Sequence, residues 1–92
     1  AGSHALETVP GMLVALTACS ANTSSVDTIV LHDSLDPSTD PRPLLTLYLD
    51  ATHPIEICRP MTEGYYFSIG LTAVITGSAC ALHVTTHDEV TL

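Results

Sequence analysis

The sequence predicts an all-β chain: a small antiparallel β-sandwich or jelly-roll-like barrel of about six to eight short strands. Three observations lead there. Apolar and polar residues alternate with a period of two through several separate stretches. Clusters of Gly, Pro, Asn, Asp and Ser fall between those stretches at short intervals. No window between these breaks repeats apolar residues at three and four positions for about ten residues, as a helix requires.

The first strand is "GMLVALTAC", from Gly11 to Cys19, apolar on both faces and so expected to be covered on both sides. After the polar break "SANTSS" comes "VDTIVLHD", rich in β-branched residues. It puts Asp27, Ile29, Leu31 and Asp33 on one side and Val26, Thr28, Val30 and His32 on the other, and it is expected to pair with the first strand across the break. The Pro-rich "SLDPSTDPRP" admits neither helix nor ladder and forms the longest loop.

"LLTLYLD" follows, with Leu45, Leu47 and Leu49 on its buried face. The short "IEIC" turns Ile55 and Ile57 inward and is ended by Pro60, which marks an edge strand. "YYFSIGLTAVIT" then reads as one long strand, with Phe67, Ile69, Leu71, Ala73 and Ile75 inward and Ser68, Gly70, Thr72, Val74 and Thr76 outward. "GSA" is a hairpin signal joining it to "CALHVTTHDE", whose inward residues are Cys80, Leu82 and Val84.

Size and charge bound the function. A chain of 92 residues suits one domain. "AGSH" at positions 1–4 reads as an affinity-tag remnant, which leaves residues 5–92 as a single β-sandwich domain. No apolar run approaches a membrane span, and the chain is expected to be soluble, without a secretion signal. Ten acidic residues against Arg42 and Arg59 give a formal charge of −8. Nucleic acid and anionic membrane are therefore excluded as direct partners, because both need Lys and Arg. The odd count of well-separated cysteines, Cys19, Cys58 and Cys80, favours buried free thiols over a disulfide framework, with one disulfide plus a spare thiol as the alternative.

Candidate chemistry is sparse. His83 and His87 stand four apart, about 13 Å on a strand, too far for one metal ion. His32 and Asp33 are neighbours that point to opposite faces, and His53 has no evident partner. Asp36 and Asp40 could attract Ca²⁺, yet the EF-hand spacing is absent. Ser78 reads as a turn residue, since no nucleophile frame surrounds it. The expectation is therefore no enzyme, no cofactor and no metal. The candidate interface residues are Tyr65 and Tyr66, one of which must face outward, with Thr72, Val74 and Thr76 on the outer side of the same stretch.

The order of these segments resembles the small β-sandwich virion proteins of tailed bacteriophages. In those chains a Gly-led strand precedes a "TVxLxD" strand and a "GxxFxxGLxVxxxGxxAxxxVxY" segment closes the domain. Gly64, Phe67, Gly70, Leu71, Val74, Gly77, Ala81 and Val84 stand near those positions, while Thr86 replaces the closing Tyr. The likeness spans nearly the whole chain but is built of common β residues.

The resemblance implies a non-enzymatic virion component of capsid decoration, head-fibre or connector type. Such a protein is made in the host cytoplasm and resident on the capsid surface. Its partners would be itself, as a homotrimer or other closed homo-oligomer, and the major capsid protein. The absence of Lys departs from the usual mixed surface and leaves the place on the virion open. The alternative is a carbohydrate- or receptor-binding module of fibre or adhesin type, in which Tyr48, Tyr65 and Tyr66 would stack on sugars.

Overall fold

Alternating apolar residues separated by turn formers produce eight strands among the described residues. They are β1 (Gly2–Glu7), β2 (Gly11–Ser20), β3 (Asp27–His32), β4 (Pro43–Leu49), β5 (Ile55–Cys58), β6 (Tyr65–Phe67), β7 (Leu71–Thr76) and β8 (Cys80–Asp88). The structure is a computed structural model and describes residues 2–60, 63–77 and 80–88. Ser78 of the sequence reading lies outside the described residues.

The strands form two antiparallel sheets. One has the order β1-β7-β3-β4. The other is built around β2, which pairs with β8 along its full length on one edge. Its other edge takes β5 against Ala15–Ala18 and β6 against Gly11–Leu13 in tandem. The Cα extents of 49 × 31 × 14 Å fit a flat stack of two sheets about 10 Å apart rather than a closed barrel. The core lies between them: Leu13, Leu16, Ala18 and Phe67 from the β2 sheet meet Ile29, Leu31, Leu47, Leu49, Leu71 and Ala73 from the other. Burying each large side chain is worth about 1.5–3 kcal/mol.

β2 explains why its sequence looks apolar on both faces. Leu13 pairs with Thr86 and Ala15 with Thr85, so Val14 has no counterpart on β8. This bulge reverses the side-chain phase, and Leu13 before it and Leu16 and Ala18 after it all reach the core. The Val14 carbonyl accepts the Arg59 N–H at 2.7 Å, in the gap between β5 and β6. The outer side of β2 is open, with Thr17 and Cys19 exposed, so the expected cover on both faces is not there.

Two pairings and one continuous strand predicted from sequence are replaced by crossings between layers. β2 and β3 belong to opposite sheets and do not pair across "SANTSS". The long strand expected over Tyr65–Thr76 breaks at Ser68–Gly70, placing β6 beside β2 and β7 beside β3. β7 and β8 are likewise in opposite sheets, so "GSA" marks a change of layer and not a hairpin turn. The inward and outward phases hold within β3, β4, β5, β7 and β8, since period two survives whichever sheet a strand joins. His32 and Thr72 of the outward phase are nevertheless buried, and the alternation expected through Ser68–Gly70 is lost where the strand breaks. Residues 2–4 extend β1, pairing with Ala73–Ile75 of β7.

Candidate functional site

The outer face of the β1-β7-β3-β4 sheet is a regular four-stranded surface, and its composition follows from the register. Ser3, Val74, Val30 and Thr46 stand in one cross-strand row, and Thr76, Thr28 and Tyr48 in the next. Small and β-branched side chains in directly opposed rows contact one another across the strands, and their χ1 freedom is restricted. Val74, Val30 and Thr28 are half-buried by their neighbours, whereas Thr46, Thr76 and Ser3 are exposed. Tyr48 is 65% exposed at the rim. These row residues are all uncharged, although the chain carries a formal charge of −8.

A third row is closed off. Ala5, Thr72 and His32 stand side by side, but the chain after β3 folds over Thr72, which is only 2% exposed. Its hydroxyl donates to the Ser34 carbonyl at 2.7 Å. Buried His32 accepts the Arg42 N–H on Nδ1 at 3.2 Å. Beside it a hollow of about 290 Å³ is lined by Ser3, His32, Asp36, Pro37, Ser38 and Val74.

The five candidate interface residues therefore divide. Val74 and Thr76 lie on this face, and Thr72 lies beneath the loop. Tyr65 and Tyr66 belong to β6 in the opposite sheet. Tyr65 is half-buried against the core, with the Arg59 guanidinium 5.8 Å from its ring centroid. Tyr66 is 50% exposed on the outer side of the β2 sheet, opposite Met12. Thr28, Val30 and Thr46 complete the face, and sequence reading passed over them. Their signal was present in the outward phase of "VDTIVLHD" and "LLTLYLD".

The titratable clusters tie the fold together. Asp27, buried at the start of β3, accepts Ser20 Oγ at 2.6 Å, Asn22 Nδ2 at 3.1 Å and Cys80 Sγ at 3.2 Å. The Ser20 hydroxyl foremost, then Asn22 and Cys80, outweigh burial and hold its carboxyl below the usual range. Burial, with the carboxylate of Asp27 beside it, pushes the Cys80 thiol up to about 11, which keeps it protonated and a poor nucleophile at neutral pH. Cys19 and Cys58 are exposed free thiols, contrary to the expectation that all three cysteines are buried.

The remaining candidates are local. Burial pushes Asp33 upward, but the N–H groups of Ser68, Ile69 and Gly70 and the Ser68 hydroxyl prevail and lower it. It turns away from His32, so the two form no acid–base pair. Asp36 binds Ser38 and Thr39, while Asp40 pairs with Arg42 at 3.1 Å, so the two carboxylates have separate partners. His53, unpartnered in the sequence reading, meets Asp50 at 2.8 Å and Thr52 at 2.9 Å. These contacts, that to His53 first, draw the Asp50 carboxyl down to about 2.

His83 and His87 are exposed on the outer side of β8. Among the described residues no three His, Cys, Asp or Glu side chains converge as a metal would need. A hollow of about 390 Å³ on the β2 sheet brings in Glu56 and His83. They flank Thr17 from opposite strands, their backbones two strand spacings or about 10 Å apart.

Comparison with known protein families, curated proteins and solved structures found no match.

Proposed function

We propose that the chain is a non-enzymatic structural component of a tailed-phage particle, a capsid decoration or cement protein. It binds the outer shell through the uncharged outer face of the β1-β7-β3-β4 sheet. The observation that carries this reading is the neutrality of the Thr28, Val30, Thr46, Val74 and Thr76 surface in a strongly acidic chain. Desolvating such a face costs less than desolvating a charged one, because no charge is stripped of water. The acidic loops stay in solvent or meet a basic patch of the shell. The virion context rests on the resemblance of the strand segments. It makes the major capsid protein and further copies of this chain the partners, and the capsid surface the location.

Val74→Asp tests it. A carboxylate in the centre of the face should cut co-sedimentation with shells of the accompanying major capsid protein at least tenfold, since an unpaired buried charge is strongly unfavourable. The far-UV circular dichroism should stay unchanged. Undiminished binding by the folded variant would remove this face from the contact. Exposed Tyr48 favours a second reading, a carbohydrate- or receptor-binding module in which that ring stacks on a sugar. Clear glycan-array hits that vanish with Tyr48→Ala would select it.

A further inference from the structure

We infer that β8 is a self-pairing edge, through which two copies of this chain join antiparallel about a two-fold axis at Val84 and extend the β2 sheet across the dimer. This does not depend on the capsid reading or on the opposite sheet's outer face.

The β8 edge differs from the other free edges among the described residues. An edge strand displays unpaired N–H and C=O groups, and soluble proteins normally blunt it with Pro, Lys, bulges or shortness. β4 begins at Pro43. β5 has four residues between Pro54 and Pro60, and β6 has three. β1 shifts register between Ala5 and Glu7. β8 runs for nine residues, from Cys80 to Asp88, with no Pro and no Lys. It pairs on one side only, with β2.

Its inner side is also unsealed. Inward residues on the central strands are buried, among them Leu16, Leu31 and Leu71, but Leu82 and Val84 on β8 are only half-buried. A slot of about 380 Å³ opens between β8 and β1, lined by Leu6, Ile75, Cys80 and Leu82 among others. The Thr86 hydroxyl closes one end by donating to Glu7 Oε1 at 2.8 Å. A strand laid along β8 satisfies its backbone and covers the mouth of this slot in one step.

Charge selects a second copy as that strand. Two chains of formal charge −8 repel, so they meet at least cost where carboxylates are sparse. From Cys80 to His87 there is neither carboxylate nor ammonium, the only acid of β8 being Asp88 at its end. Val84 is the midpoint of Cys80–Asp88, so the two-fold pairs Val84 with itself and leaves every residue of the strand partnered. Outward-facing His83 then opposes Thr85 of the second copy, and Thr85 opposes its His83.

Light scattering after size exclusion, over a concentration series, should give twice the 9.7 kDa chain mass. Both 83 and 85 are exposed, so His83→Glu with Thr85→Glu should leave the circular dichroism unchanged. It places carboxylates opposite each other at two symmetric positions and should raise the dimer dissociation constant roughly tenfold. His83→Glu with Thr85→Lys makes both positions attractive and should restore the dimer. A monomer throughout the series would overturn the proposal, as would a double Glu variant that still dimerises like wild type. Failure of the Glu/Lys pair to rescue would overturn the register. Val74→Asp should leave this dimer intact, and its loss there would place the contact on the other sheet.

Discussion

Asp27 is where the two layers are fastened. It belongs to β3, yet its carboxylate gathers Ser20 at the end of β2 and Cys80 at the start of β8, both in the opposite sheet. Gly77 allows this closeness. Its φ is +122°, where side chains are rarely tolerated, and a Cβ there would fall on the Asp27 carboxylate. Gly77→Ala should therefore lower stability by about 2 kcal/mol, read as a shifted urea midpoint at constant slope. The sequence announced this Gly only as a turn former. Nothing in "TGSAC" says that Gly77 and Cys80 come against a carboxylate some fifty positions earlier, because the contact exists only once both sheets are stacked.

At the scale of elements, the break at Ser68–Gly70 decides the fold. An unbroken strand from Tyr65 to Thr76 would hold β6 and β7 in one sheet. Asp33 prevents that by accepting the N–H groups of Ser68 at 2.9 Å and Ile69 at 2.8 Å, which ladder partners would otherwise take. Asp33→Ala leaves these donors without their charged acceptor and should cost about 2 kcal/mol. Faster hydrogen exchange at Ser68 and Ile69 than in β3 would show that the loss is local. Strand phase was legible because side-chain alternation is a property of each segment alone. Pairing was not legible, because "SANTSS" and "GSA" serve equally well to turn within a sheet or to cross between sheets. The β2 bulge left a visible trace, the apolar run around Val14, which reads as a two-sided strand unless a phase reversal is considered.

Over the whole molecule, the lowered carboxyl groups make stability depend on acidity in one direction. Asp27, Asp33, Asp36 and Asp50 all ionise more readily in the fold than an ordinary aspartate does. The folded state thus holds fewer protons than the unfolded chain in acid, and stability falls as pH falls. The contribution is complete above about pH 5 and is lost progressively below about 4, the Asp50 carboxyl titrating at about 2. Thermal scans from pH 6 to pH 2 should show a melting temperature level to about 5 and then descending. A melting temperature unchanged down to pH 3 would contradict it. The candidate face was half legible: Val74 and Thr76 were named by phase, but their companions Val30 and Thr46 joined them only when β3 and β4 took their places beside β7.

Of all the strand pairs in the described residues, only β3 with β4 joins consecutive strands. β2 is complete by Ser20, but the strand that covers its far edge begins at Cys80. At roughly 5–20 residues per second of synthesis, the ribosome needs about 3–12 s to deliver those intervening residues. Throughout that interval the far edge of β2 stands on the nascent chain with its backbone N–H and C=O groups unpaired, so the protein's exposure to chaperones and to misassociation is set by the distance between these two strands.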